Sequence, residues 1–179
     1  MSKNKNIVLG VTASIAIYKA CDILRRLNQE GFSVTVVMTE EAQAFIRPMV
    51  FQNLSGNKVY CSLFDESSEW QAEHISLAEK ADMVLIAPAT ANIIAKLACG
   101  ICDDLLTCLV CATKAQVVIC PAMNENMYKN KITQGNMRRL ESLGYRFIPP
   151  IKGRLVCGKI GIGCLAEVDA IVEEVKRML

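Results

Sequence analysis

Val117-Val118-Ile119-Cys120-Pro121-Ala122-Met123-Asn124-Glu125-Asn126-Met127 decides how the chain folds. Val-Val-Ile is the composition of a buried strand, because β-branched side chains pack well on a pleated surface. Pro121 has no N–H to give to a ladder, so the strand is expected to stop there. Ligands of open α/β sheets bind just beyond the carboxyl ends of the strands. Asn124 falls at such an end with both a donor and an acceptor to offer. It equally suits the N-cap of a following helix, and the stretch alone leaves both roles open.

On either side, short apolar runs alternate with amphipathic ones. Residues 7–11 read as a first strand, followed by Thr12-Ala13-Ser14 and a helix over 15–29 that Gly31 closes. Residues 33–38 form a second strand with Thr39 at its end; Phe45 lies in the segment that follows, and Pro48 opens a short helix. Residues 55–73 are polar and irregular around Trp70. The third strand, 83–87, is expected to stop at Pro88, with Thr90 and Asn92 opening the next helix. Asp103 is the expected N-cap of a helix running to residue 113. A helix over 134–143, a strand over 145–148 and a helix over 168–179 complete the pattern. Residues 152–166 carry Gly153, Gly158, Gly161 and Gly163, too much glycine for a regular element. The alternation predicts an α/β fold: one domain over 1–179, built as a doubly wound (Rossmann- or flavodoxin-like) parallel sheet with helices on both faces in three layers.

Composition narrows the function. Apolar residues make up 52% and aromatics only 6%, which suits aliphatic strands buried on both faces and an oligomer interface. The formal net charge is +2 with no basic block, so neither nucleic acid nor an anionic membrane is an expected partner. Lys3, Lys5 and residues 7–11 faintly imitate a signal peptide, but the apolar run is too short and its removal would delete a strand. The stretch 83–95 is broken by Pro88 and Asn92 and is too short to span a bilayer. A cytoplasmic location is expected. Of nine cysteines, Cys99, Cys102, Cys108 and Cys111 form two C-x-x-C pairs. Their spacing is too close for a zinc ribbon, and a helix over 103–113 is expected to keep Cys108 and Cys111 from Cys99 and Cys102, so no metal is predicted.

The join between the first strand and helix has the layout of a phosphate cradle, with amides at a helix N-terminus and the hydroxyls of Thr12 and Ser14. It lacks G-x-G-x-x-G and a Walker lysine. Thr12, Thr39, Thr90, Asn92 and Asn124 all fall at carboxyl ends of predicted strands, where a mononucleotide would bind. His74, the single histidine, precedes a strand; such a residue is either structural or a proton-transfer group. Cys157 differs from the other thiols by lying in the glycine-rich segment, where a flap could carry it to a ligand.

Gly-Val-Thr-Ala-Ser-Ile-Ala at 10–16, His74 followed by Ala81-Asp82, Ala-Pro-Ala-Thr-Ala-Asn at 87–92, Pro-Ala-Met-Asn at 121–124 and Leu-Val-Cys-Gly at 155–158 together resemble the homo-oligomeric flavin-containing cysteine decarboxylases. The resemblance runs from about residue 7 to 167. It implies FMN as cofactor, contacted by Ala13, Ser14, Ile15, Thr39, Phe45, Thr90, Ala91, Asn92 and Ala122. It places His74 and Cys157 at catalytic positions, Asn124 at the substrate carboxylate and Met127 at a further substrate contact. Many relatives have glycine in place of Ala13, so a phosphate loop needing positive φ would be strained here. The implied substrate is 4′-phospho-N-pantothenoylcysteine, converted to 4′-phosphopantetheine in coenzyme A biosynthesis. An N-acylated cysteine has no electron sink β to its carboxylate; oxidation of the thiol to a thioaldehyde provides one, and reduction of the resulting enethiolate restores the redox balance. The resemblance further implies trimers or multiples of trimers, and a separate phosphopantothenate–cysteine ligase on another chain. Oxidative decarboxylation of a peptide C-terminal cysteine, and a non-catalytic flavin-binding regulatory subunit, are the alternatives.

Overall fold

A computed structural model describes residues 5–64, 73–156 and 158–179. Trp70 and Cys157 lie outside the described residues. The elements in chain order are β1 (Asn6–Val11), α1 (Tyr18–Gln29), β2 (Ser33–Met38), α2 (Pro48–Ser55), β3 (Val59–Tyr60), α3 (Glu73–Lys80), β4 (Met83–Ala89), α4 (Ala91–Cys99), α5 (Leu105–Ala112), β5 (Gln116–Pro121), α6 (Glu125–Lys129), α7 (Lys131–Ser142), β6 (Arg146–Phe147), β7 (Ile151–Arg154), β8 (Ile160–Cys164) and α8 (Val168–Met178). Single turns of 3-10 helix precede α1 at Ile15–Ile17 and α2 at Glu41–Ala44.

Six strands form one sheet in the order β3-β2-β1-β4-β5-β6, and every pairing is parallel. This is the order of the Rossmann fold. The apolar runs are continuous because both faces of the central strands are covered: every residue of β4 is buried. Alternate residues feed two cores. Leu9, Val36, Leu85 and Val118 meet α1, α2 and α8 on one face. Val8, Val37, Val84 and Ile119 meet α3, α4, α5 and α7 on the other. The predicted three layers are therefore present. At Gly10 a Cβ would come within 2.7 Å of the Leu106 side chain, so the bare backbone there lets α5 settle close to the sheet.

Local departures from the sequence reading have physical causes. Pro88 does not end β4; the ladder shifts register between Ile86 and Ala89, steps over the residue without an N–H, and pairs Ala89 with Pro121. Pro121 is accordingly the last residue of β5. Asp104, not Asp103, caps α5, in a reciprocal capping box with Thr107. The stretch 55–73, expected to be irregular, contains the two-residue edge strand β3 and opens α3. The helix expected from 134 begins at Lys131, where the Asn130 side chain caps it, and α6 precedes it.

The glycine-rich segment is the largest correction. It forms an antiparallel hairpin, β7–β8, with Gly153 opposite Gly161. Glycine is used here for close approach: a Cβ on Gly161 would collide with the Glu125 carboxylate. The thiol reading is also revised. Cys102 turns back toward α5, and the Cys108 Sγ–H donates to its carbonyl at 3.3 Å. Burial and the neighbouring Cys102 push the Cys111 thiol up to about 11. Among the described residues, no group of three or more His, Cys, Asp or Glu is arranged to hold a metal. No helix there is long and apolar enough to cross a membrane.

Candidate functional site

The order of the strands reverses between β1 and β4, and the carboxyl ends of these two parallel strands frame a crevice. Thr12 bridges them. Its Oγ1–H donates to the Pro88 carbonyl at 2.7 Å, and the same oxygen accepts from the Thr90 N–H at 3.1 Å. The buried hydroxyl of Thr12 is therefore engaged between strands, and the expectation that it would face a phosphate is revised. Ser14 remains a candidate phosphate contact. It caps the 3-10 turn by accepting from the Ala16 N–H, and its hydroxyl donates to the Ala122 carbonyl at 3.2 Å. Among the described residues no residue other than glycine has positive φ, so Ala13 carries none of the expected strain.

A cleft of about 480 Å³ opens above this edge, within the range of roughly 300–1,000 Å³ usual for ligand pockets. One wall is Ser14, Ile15 and Ala16; the floor is Ala122, Met123 and Asn124; the opposite wall is the β7–β8 hairpin. The structure thus gathers four of the predicted residues, Ser14, Ile15, Ala122 and Asn124, onto one cleft. Ala122 is buried, and its N–H donates to the Ala89 carbonyl at 3.0 Å.

Thr39, Phe45, Thr90, Ala91, Asn92 and Met127 do not line this cleft, although they share its edge of the sheet or border it. Thr39 continues β2, its N–H donating to the Val11 carbonyl. Phe45, beyond it, is half exposed. Thr90 caps α4, whose first residues are Ala91 and Asn92. Met127 lies on α6, half exposed. His74 is set apart, in the first turn of α3. Its neighbour Glu73 pairs with Lys58 at 2.8 Å, and Lys58 also lies over the Tyr60 ring.

Of the two candidate roles of Asn124, the capping role is seen directly. Its Oδ1 accepts from the Asn126 N–H at 2.9 Å and caps α6. The Nδ2 group can only donate, which suits a carboxylate ligand. The hairpin is fastened to the same loop. The Met123 N–H donates to the Gly163 carbonyl at 3.0 Å, and the Ile162 N–H donates to Glu125 Oε1 at 3.4 Å. Lys129 and the Ile162 amide hold the Glu125 carboxyl below its ordinary range. Gly163 has φ 143°, and a Cβ there would lie 2.1 Å from the Met123 carbonyl oxygen. Gly163→Ala is therefore expected to lower stability by about 1–3 kcal/mol and to release the hairpin from the loop. A lowered urea midpoint with faster exchange of the Met123 amide checks this; an unchanged midpoint contradicts it.

Sequence reasoning missed the cationic part of the lining, Lys19, Lys152 and Arg154. Lys152 and Arg154 are two apart, the spacing that places residues on one face of a strand, but the signal is invisible while the segment is read as irregular.

A Rossmann-ordered sheet with a cleft of this size at its switch point is the layout seen in nucleotide-binding α/β proteins. The flavoprotein family model matches residues 1–179, and the chain belongs to that family. It is 45% identical over 173 residues to the coenzyme A biosynthesis bifunctional protein CoaBC of Bacillus subtilis, covering 97% of this chain and 43% of that protein. The chain thus spans less than half the length of that relative. It is 42% identical over 177 residues to a protein of Streptococcus mutans named "Probable phosphopantothenoylcysteine decarboxylase", covering 98% of this chain and 99% of the relative. Among solved structures, a cysteine-to-serine mutant of PPC decarboxylase complexed with pantothenoylaminoethenethiol has a TM-score of 0.87 at 32% identity, covering 98% of both chains. The FMN-dependent cysteine decarboxylase SpaF has a TM-score of 0.83 at 29% identity, covering 97% of both.

Proposed function

We propose that this chain is an FMN-dependent decarboxylase that converts 4′-phospho-N-pantothenoylcysteine to 4′-phosphopantetheine in coenzyme A biosynthesis. The carrying observation is the placement of Ser14, Ala122 and the donor-bearing Asn124 on one cleft at the sheet's switch point. The donors fit FMN: a capped helical turn with a hydroxyl suits its phosphate, and the small Ala122 at a strand end leaves room for a flat ring. FMN, when bound, supplies two-electron oxidation of the substrate thiol and the return of those electrons.

The remaining work belongs to side chains. Ser14 and the amides after it hold the phosphate of the cofactor, with Ala13, Ile15, Thr39, Phe45, Thr90, Ala91 and Asn92 around the rest. Asn124 orients the substrate carboxylate so that the breaking bond lines up with the oxidised sulfur centre, and Met127 packs against the substrate. His74 accepts the thiol proton, and Cys157 returns a proton to carbon after carbon dioxide has left. A homotrimer, or a multiple of trimers, is the proposed assembly; exposed Ile15, Tyr18, Phe45 and Met49 supply apolar surface for it. The cytoplasm is the proposed compartment, where reducing conditions suit a chain with nine cysteines. A cysteine-ligating activity, on this polypeptide or another, must supply the substrate.

The test is direct: the purified protein is yellow, releases FMN on denaturation, and liberates carbon dioxide from the phosphorylated substrate. A preparation that rejects FMN overturns the reading. The solved enethiol complex of a cysteine-to-serine mutant supports a late role for a thiol. Cys157→Ser is expected to release carbon dioxide and accumulate the enethiol, because serine is a far weaker acid than a thiol of pKa about 8.5. Saturated product forming at the parent rate, by mass spectrometry, would assign the proton to another donor.

A further inference from the structure

Resting on that reading of the cleft, we propose that Lys152 and Arg154 form the seat of the substrate's phosphate group. The substrate is anionic at both ends, with a carboxylate at one and a phosphomonoester at the other, joined by an uncharged arm. Asn124 is suited to the carboxylate, and the Ser14 turn on the other wall is assigned to the cofactor. A second phosphate, carrying a charge of about −1.5 to −2 near neutral pH, needs donors of its own.

The hairpin wall provides them. β7 alternates, and both Lys152 and Arg154 line the cleft. Among the described residues neither joins an ion pair, whereas Lys19 on the facing wall is already paired with Glu167 at 3.5 Å. Lys152 acts on Glu125 only through its charge, since Glu125 is bridged to Lys129 at 2.7 Å. An arginine fork matches two phosphate oxygens, and a lysine adds a mobile point charge. Ile151, Leu155 and Val156 alongside offer an apolar track for the aliphatic arm. The strand is anchored through its partner β8 to the loop bearing Asn124, so the two anion positions belong to one framework.

The test uses the holoenzyme and two ligands that differ only in the phosphate, 4′-phosphopantetheine and pantetheine. The parent is expected to bind the phosphorylated ligand more tightly by about 10- to 100-fold for each cation engaged, as for charge-assisted hydrogen bonds. Arg154→Gln and Lys152→Gln should each remove part of that preference, and the double variant nearly all of it, with pantetheine affinity and FMN content unchanged. Calorimetry reads the affinities. A preference that survives the double substitution, a parent without any preference, or loss of FMN from the variants overturns the assignment. Carbon dioxide release by the parent is scored separately, so failure of the decarboxylase reading is told apart from failure of the phosphate seat.

Discussion

His74→Asn protein is expected to keep its yellow FMN and to lose reduction of that flavin by substrate, by about 100-fold or more in a single turnover. Positioned acid–base groups commonly contribute about 10²- to 10⁴-fold. Asparagine approximates the shape of the imidazole and retains a donor and an acceptor but does not titrate, so the loss reports proton transfer rather than packing. His74 sits in the first turn of α3, away from the residues assigned to the cofactor phosphate, so cofactor is expected to be retained. The anchoring of that turn through Glu73 to Lys58 is left intact by the substitution. Stopped-flow bleaching of the flavin band is the measurement. Parent-like bleaching would remove His74 from the oxidation step.

Asn124→Asp should all but abolish carbon dioxide release while leaving the fold unchanged. Aspartate is as good an N-cap as asparagine, so the bond from the Asn126 N–H that opens α6 is kept. What changes is the other end of the group, where an NH₂ donor becomes a carboxylate oxygen facing the substrate's own carboxylate. Two unit charges about 4 Å apart repel by about 4 kcal/mol at an effective dielectric of about 20, roughly a thousandfold in affinity for the reactive pose. A thermal midpoint near the parent's, with carbon dioxide release down by about three orders of magnitude, is the expected pair of results. Near-normal release would place the carboxylate elsewhere.

The sheet was legible because its physics is local. Uninterrupted aliphatic runs such as 83–87 and 117–120 occur where both faces are covered, and the caps and glycines between them mark the helices. On the cleft floor Ala122 came from the family resemblance alone, whereas Asn124 was legible for the same reason as the sheet, since it follows a strand end. The hairpin was not. Its glycines look like disorder in a linear reading, yet Gly161 and Gly163 exist to let Glu125 and the Met123 carbonyl approach, contacts made by residues about 40 positions away. Pro88 misled in the same way, because only its neighbour's ladder reveals the register shift that accommodates it. Thr12 shows a third limit: a hydroxyl at a strand end is as useful for joining β1 to β4 as for a ligand, and only the tertiary partners decide.

The lining of the cleft has a consequence for how a ligand arrives. Among the described residues, Lys19, Lys152 and Arg154 stand against one lining carboxylate, Glu167, an excess of two positive charges that equals the formal net charge of the whole sequence. A cleft with walls of low polarisability focuses such a field outward, and a ligand negative at both ends is drawn in and turned before it touches the protein. Salt shortens the reach of that field to about 8 Å at physiological ionic strength. Rising salt therefore slows capture of a dilute substrate far more than it slows turnover of one already bound.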